Sequence, residues 1–322
     1  MTVENMVRNL LNEACDNKAT DIYFFPREDD YFIETRSDTD QPMMTQLTTD
    51  ETLMILNYLK FNGGLDVSER RRSQKGSFSF SYQGQKIHIR ISSVGDFLDR
   101  ESLVVRLIYP QNFNYQINEE IIEQLYPVAK KKGMMIFSGP MGSGKTSLMY
   151  ALCKNLSSSK KVMSIEDPVE IVEEDFLQLQ VNEHVGLTYE ELIKTSLRHR
   201  PEVLIIGEIR DAITAKQAIQ ASLCGYTVMT TIHGKSKFSV IQRLKQFGVD
   251  QEEIINSVNL ISYQRLIPTM DGLQLFIDTA NEQEIDLFLR ESKDDNIWGQ
   301  QMEHAFQNGY INRETYQEYL YG

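Results

Sequence analysis

The sequence predicts an α/β protein in which a mostly parallel sheet carries helices on both faces and follows a small α+β domain. Three observations carry that prediction. From residue 134 onward, short aliphatic runs alternate with amphipathic stretches, the order expected of strand–helix units that build a parallel sheet. Between the first such run and the first such stretch lies Gly139-Pro140-Met141-Gly142-Ser143-Gly144-Lys145-Thr146, a fit to G-x-x-x-x-G-K-[ST]. Residues 1–109 read differently, with a hairpin of alternating residues and two isolated helices.

In the first domain, Val3, Val7, Leu10, Leu11 and Ala14 recur at helical spacing, so an amphipathic helix opens the chain. Strands follow at 21–25 and 31–35. Asp50 is the expected N-cap of a helix over 52–61, which Gly63-Gly64 ends. Residues 77–82 alternate, Gln83-Gly84-Gln85 turns, and 86–91 alternate again, which predicts a hairpin. A further strand is expected at 103–108. Residues 110–116, opening with Pro110-Gln111-Asn112, are polar and form the expected linker.

The second domain, 117–322, begins with a helix carrying Ile117, Ile121, Leu125 and Val128. Strands are expected at 134–138, 162–166, 176–181, 203–207 and 227–232, with helices near 145–157, 188–199, 212–224 and 235–247. From residue 250 the pattern reads as helical, interrupted by a hairpin around Asp271-Gly272. Ligands of such sheets bind beyond the carboxyl ends of the strands.

The glycine-rich run has a physical reading. Glycines at 139, 142 and 144 let backbone N–H groups approach phosphate oxygens with no Cβ in the way. The helix begun near Lys145 turns its positive end to the same place. Gly139, Pro140, Met141, Gly142, Ser143, Gly144, Lys145, Thr146 and Ser147 are therefore the candidate nucleotide-binding residues. Lys145 is expected at the β- and γ-phosphates and the Thr146 hydroxyl at Mg²⁺.

Hydrolysis needs more than a cradle: water must be positioned and charge balanced. Val203-Leu204-Ile205-Ile206 is a buried strand with Gly207-Glu208 at its end. Ser164-Ile165-Glu166-Asp167-Pro168 leaves Glu166 and Asp167 near another strand tip, where Asp167 is a candidate to hold Mg²⁺ by way of the nucleotide. Each carboxylate alone reads as a surface acid or a helix cap. Three segments in strand–helix order, all aimed at one sheet edge, favour a joint site. His233, at the tip of the 227–232 strand, is either structural or a sensor of the γ-phosphate.

Composition narrows the class. With 41% hydrophobic and 25% charged residues the chain is globular, and no apolar run nears the ~20 residues that span a bilayer. The N-terminus lacks an apolar signal segment, so the expected location is cytoplasmic. Three widely spaced cysteines, with Cys153 and Cys224 expected in helix cores, exclude a disulfide framework. Five histidines form no zinc motif. The net charge of −13, with 11 acids and 3 bases from Asp271 onward, argues against direct nucleic-acid binding. That acidic region reads as a solvated face.

The combination resembles the secretion and type IV pilus traffic ATPases, in the short form that serves competence pseudopili. The resemblance rests on the loop at 139–146, on Ile165-Glu166-Asp167-Pro168-Val169-Glu170, and on Leu197-Arg198-His199-Arg200-Pro201-Glu202. Gly207-Glu208-Ile209-Arg210-Asp211, Thr230-Thr231-Ile232-His233 and the N-terminal Ala19-Thr20-Asp21-Ile22 complete it. It implies a RecA-like ATPase domain behind a PAS-like domain, a hexameric homo-oligomer, ATP with Mg²⁺ and no structural zinc. It also implies that Glu208 positions the attacking water, that Glu166 assists at metal or water, and that Arg90 and Arg106 reach the phosphates in a closed state. Arg210 and Arg243 are further candidates for the charge clamp. The implied partner is a polytopic membrane platform protein at the cytoplasmic face of the membrane. The sequence departs from the family at Gly225-Tyr226, where Gly-His is usual, and lacks the four-cysteine zinc element of longer members. The expected function is ATP-driven assembly of a pseudopilus for DNA uptake in transformation. The alternatives are a pilus retraction motor and a nucleotide-gated scaffold without turnover, against which Glu208 and Glu166 argue.

Overall fold

Two sheets organise the chain, and their residue patterns differ because one is covered on a single face and the other on both. The computed structural model describes residues 2–28, 30–37, 43–109, 117–292 and 297–321. The chain divides into two compact units, Met1–Gln111 and Asn112–Gly322. The expected linker at 110–116 lies outside the described residues.

The first unit contains α1 (Val3–Asp16), β1 (Ala19–Pro26), β2 (Asp30–Ser37), β3 (Met43–Thr48), α2 (Thr49–Asn62), β4 (Gln74–Tyr82), β5 (Gln85–Gly95) and β6 (Glu101–Ile108). Its sheet is antiparallel throughout, in the order β3-β2-β1-β6-β5-β4. Alternation puts Ile22, Ile89, Ile91 and Val105 on the face that packs with Leu11 of α1 and Leu56 of α2. Arg90 and Arg106 fall on the opposite face by the same alternation. The β4–β5 turn is the two residues Gln83 and Gly84, at φ 47° and 79°, the positive values of a type I′ hairpin turn. The N-cap of α2 is Thr48, not Asp50. Thr48 and Glu51 bond each other's backbone N–H in a capping box, and Asp50 sits in the first turn, where an acid suits the helix dipole. β3 was not expected, because its polar-rich stretch has no apolar alternation; pairing with β2 makes it an edge strand. A buried ion pair closes this unit: Lys60 Nζ lies 2.6 Å from Glu101 Oε1 and also donates to the Glu69 carbonyl at 2.7 Å.

The second unit runs α3 (Glu119–Ala129), β7 (Gly133–Ser138), α4 (Lys145–Ser157), β8 (Val162–Glu166), β9 (Phe176–Gln180), α5 (Tyr189–His199) and β10 (Val203–Ile206). It continues with α6 (Ala212–Leu223), β11 (Thr227–Ile232), α7 (Lys237–Gln246), α8 (Gln251–Ser257), β12 (Val258–Thr269), β13 (Gly272–Asn281), α9 (Glu282–Glu291), α10 (Ile297–Gln307) and α11 (Arg313–Tyr319). The sheet order is β13-β12-β7-β11-β10-β8-β9, parallel except for the β12–β13 pair. β7, β8, β10 and β11 are buried at every position, as strands covered on both faces must be. Met134, Ile136, Leu204 and Ile206 face the core shared with α5 to α9. Met135, Phe137, Val203 and Ile205 face α3 and α4.

Two expectations need correction. The region after residue 250 is not mainly helical up to its turn: β12 and β13 are long strands that extend the central sheet through β7. Gln264, Arg265 and Gln274 interrupt the apolar pattern of these strands, so pairing with β7 and not local propensity sets their conformation. Cys153 is a buried core residue, but Cys224 is exposed where α6 ends.

Because β7, β8, β10 and β11 are parallel, the segments that follow them emerge at one edge of the sheet. These are the glycine-rich loop, Asp167, Gly207-Glu208 and His233.

Candidate active site

The loop after β7 is shaped by steric necessity. Gly139 has φ 144°, and a Cβ there would lie 2.3 Å from the Gln264 carbonyl oxygen and 2.6 Å from Ser143 Oγ. Gly144, at φ 79°, is the N-cap of α4, and no side chain caps that helix. The N–H groups of its first turn therefore lack a side-chain acceptor, the condition that favours an anion. Ser138 Oγ, Ser143 Oγ and Gln264 Oε1 are buried with no hydrogen-bond partner among the described residues. Gln264 itself reaches the loop from β12, donating from Nε2 to the Ser143 carbonyl at 3.0 Å. An uncapped helix end and orphaned polar atoms beside close-packed backbone fit a bound phosphate group. Met141, 88% exposed, points away from this packing.

Lys145 is folded back on the loop. Its Nζ donates to the carbonyls of Gly139 at 3.1 Å and Pro140 at 2.6 Å. Burial lowers its pKa, partly offset by the charges of Glu208 and Glu170. Thr146 is half-buried in the same turn, and Ser147 is buried.

His233 joins the loop to a carboxylate. Its Nδ1 lies 3.2 Å from the Gly139 carbonyl oxygen and its Nε2 3.1 Å from Glu208 Oε1. Both ring nitrogens thus face acceptors; a neutral ring satisfies one of them and a doubly protonated ring both. Arg210 Nε donates to the other Glu208 oxygen at 2.7 Å. Glu208 is therefore held from two sides at the tip of β10. Thr231 Oγ1 supports the turn by donating to the Gly207 carbonyl at 2.8 Å. Gly207 packs closely here: a Cβ would stand 3.1 Å from Glu166 Cγ, tighter than ordinary contact.

Glu166 is the buried member of the group. Its Oε1 accepts hydrogen bonds from the Tyr150 phenol and from Ser164 Oγ, the latter at 2.6 Å. Burial raises its pKa, and the hydrogen bonds from Ser164 and Tyr150 oppose that rise. Gln178 Nε2 donates to the Tyr150 oxygen at 2.9 Å. Asp167, half-buried, follows directly and precedes a cis peptide to Pro168. Tyr189 lies in the field of Asp167, Arg210, Glu166 and Glu208, and burial raises its phenol well above the usual range.

The structure thus brings the loop, Lys145, Glu208, His233 and Arg210 into one bonded cluster, with Glu166 and Asp167 in the same electrostatic neighbourhood. Arg243 is elsewhere, stacked on Phe247 at 5.2 Å in the last turn of α7. Arg90 and Arg106 belong to the first unit, directly opposite each other on β5 and β6, and Arg106 Nε donates to Asp21 Oδ1 at 2.8 Å. Sequence reasoning did not single out Tyr150, Gln178, Tyr189 or Gln264. Tyr150 left one usable signal: a tyrosine four residues after Thr146 shares its helix face, and a buried hydroxyl there needs a partner. Among the described residues, no group of three or more His, Cys, Asp or Glu could hold a metal ion. No helix among the described residues is long and apolar enough to cross a membrane.

Residues 1–305 match the family described as Type II/IV secretion system protein. The chain is 43% identical over 265 residues to the competence protein ComGA of Streptococcus pneumoniae (strain ATCC BAA-255 / R6), covering 82% of this chain and 85% of that one. It is 36% identical over 277 residues to ComGA of Bacillus subtilis (strain 168), covering 83% of this chain and 76% of that one. In fold it is similar to the pilus retraction motor PilT crystallised with ADP, at a TM-score of 0.72 and 20% identity over 97% of this chain and 96% of the other. The ATPase DotB of Legionella pneumophila gives a TM-score of 0.70 at 19% identity, covering 99% and 95%.

Proposed function

Because this chain belongs to the Type II/IV secretion system protein family, we propose that it is the ATPase that powers assembly of a competence pseudopilus, and so DNA uptake in transformation. The observation that carries the proposal is the bridge made by His233, one nitrogen on the phosphate loop and the other on Glu208. A carboxylate coupled to the γ-phosphate end of a nucleotide cradle is suited to orienting water for in-line attack.

The chain's residues divide the work. Backbone N–H groups of Gly142 to Ser147 and the α4 dipole bind the phosphates. Lys145 exchanges its two loop carbonyls for phosphate oxygens, which restores a favourable environment to a buried ammonium. Glu208 orients the water and takes up its proton, while Arg210 and His233 fix the carboxylate. Thr146 and Asp167 are the residues that would hold Mg²⁺ with the nucleotide, and the ion would supply positive charge to the developing transition state. Arg90 and Arg106, paired across two strands, are proposed as further phosphate ligands. The same reading takes the first unit as a PAS-like domain, the second as RecA-like, and the assembly as a hexamer at the cytoplasmic face of the membrane. There it would act on a polytopic platform protein.

Phosphate release from Mg-ATP by the purified chain, measured alone and with its membrane partner, tests the reading. Wild type should turn over, and Lys145→Ala and Glu208→Gln should not. Normal transformation in cells carrying either variant refutes the motor role.

A further inference from the structure

We infer that Tyr150 is a positioning residue for hydrolysis: its phenol fixes the Glu166 carboxylate relative to the phosphate loop, because the loop and Tyr150 are carried by one helix. The inference rests on the ATPase reading above. Its observations are separate from the loop itself. Tyr150 is 1% exposed and Glu166 3% exposed, so their contact is shielded from water. The Tyr150 O–H donates to Glu166 Oε1, and Ser164 Oγ donates to the same oxygen at 2.6 Å. No lysine or arginine makes an ion pair with Glu166 among the described residues. Neutral donors, Tyr150 and Ser164 with Gln178 as a weaker third, therefore hold a buried acid, and the loss of Tyr150 or Ser164 leaves it short of a partner.

A second layer fixes the phenol. Gln178 Nε2 donates to the Tyr150 oxygen at 2.9 Å and to the Ile171 carbonyl at 2.7 Å. Gln178 sits on β9 directly beside Ser164 of β8, so the amide is set by the sheet register and not by a mobile loop. The Tyr150 ring packs on Phe176 with centroids 5.5 Å apart, which restrains the ring independently of its hydroxyl. The phenol is thus locked from both ends, as a group must be if it is to transmit position.

The geometry also says what is transmitted. α4 begins at Lys145, and Thr146 and Tyr150 are four residues apart, so they share one face of that helix. Any shift of α4 when phosphate binds at its N-terminus is delivered to Glu166 one turn later. The backbone of Gly207 packs against Glu166, since a Cβ there would lie 3.1 Å from Glu166 Cγ. The position of Glu166 is therefore felt at the turn that carries Glu208.

Tyr150→Phe keeps the ring and its packing and removes the donor. In the full-length protein with saturating Mg-ATP, kcat should fall about 10- to 100-fold, the effect of leaving a buried acceptor short of its donor. The Kd for ATP should change less than about threefold. Gln178→Leu should lower kcat in the same direction. Combined with Glu166→Gln, Tyr150→Phe should cause no further loss, because its effect runs through that carboxylate. A purely structural role would lower thermal stability and ATP affinity together without this split. An unchanged kcat in Tyr150→Phe overturns the inference, as does an equal loss in the Glu166→Gln background. A wild-type protein without turnover sinks the ATPase reading and this inference together. An active wild type with an unaffected Tyr150→Phe sinks the positioning role alone.

Discussion

Replacing His233 with alanine tests the joint between nucleotide and carboxylate. The substitution removes the 3.1 Å contact to Glu208 Oε1 and the 3.2 Å contact to the Gly139 carbonyl. A hydrogen bond to a charged group contributes about 1.5–3 kcal/mol when well shielded. The His233 side chain is 44% exposed, so solvent screens part of that. A loss of about 1–2 kcal/mol in transition-state stabilisation follows, or about 5- to 30-fold in kcat. Nucleotide affinity should suffer less. Without nucleotide the Gly139 carbonyl keeps the Lys145 ammonium as a donor at 3.1 Å, and with nucleotide bound the loop N–H groups and Lys145 would hold the phosphates without His233. Glu208 keeps Arg210 at 2.7 Å, which is why the loss is partial. Stopped-flow phosphate release with saturating Mg-ATP gives kcat, and titration with a fluorescent ATP analogue gives affinity. A His233→Ala variant whose kcat stays within about twofold of wild type refutes the coupling. A collapse of affinity with kcat intact assigns His233 to the loop instead.

Three further outcomes follow from the same geometry. Burial raises the Glu166 carboxyl, so the native chain keeps a proton that the unfolded chain has already released, and stability falls as pH rises from the ordinary carboxyl range through the raised value. Glu166→Gln removes that loss, so its Tm relative to wild type should be higher at about pH 7.5 than at about pH 4.5; a pH-independent difference in scanning fluorimetry contradicts the assignment. Glu101→Ala strands the buried Lys60 ammonium and should cost about 3–5 kcal/mol in denaturant unfolding, most of it recovered by Lys60→Met with Glu101→Leu, and a cost below about 1 kcal/mol counts against the buried pair. Gly139→Ala drives a Cβ to 2.3 Å from the Gln264 carbonyl and should abolish nucleotide binding. Gly84→Ala, in the β4–β5 turn, meets no atom within 4 Å and costs only about 1–2 kcal/mol for its φ of 79°, so equal binding by the two variants refutes the steric account.

The parallel part of the second unit was legible because every strand in it is a short aliphatic run followed by an amphipathic helix. Local pattern and global sheet agree there, and the tips carrying Gly139, Asp167, Glu208 and His233 follow by topology. Legibility failed where tertiary pairing decides. β12 and β13 carry Gln264, Arg265, Gln274 and Asp278 among apolar residues, and only the neighbouring β7 makes β12 a strand. Gln264 was missed for the same reason, since its reach to the Ser143 carbonyl joins residues 121 positions apart. Lys60 with Glu101, and Tyr150 with Glu166 and Gln178, are likewise distance relations that no period encodes. His233 was recognised as a strand-tip residue, but its partner in the loop is a backbone carbonyl, which leaves no residue-type signature.

Charge gives the site its remaining logic. Among the described residues, the electrostatic neighbourhood of the loop includes four carboxyl groups, Glu166, Asp167, Glu170 and Glu208, against two basic side chains, Lys145 and Arg210. A triphosphate brought to such a place adds negative charge to a surplus already present. Part of the repulsion is relieved inside the protein, since burial raises the Glu166 carboxyl and favours its neutral form. The helix N-terminus supplies only about half a charge. On the ATPase reading, a divalent cation bound with the nucleotide and further arginines would complete the balance. On the ATPase reading proposed above, that acidic surplus would make tight nucleotide binding depend on Mg²⁺, and it is the reason the proposal looks to Arg90 and Arg106 for further positive charge.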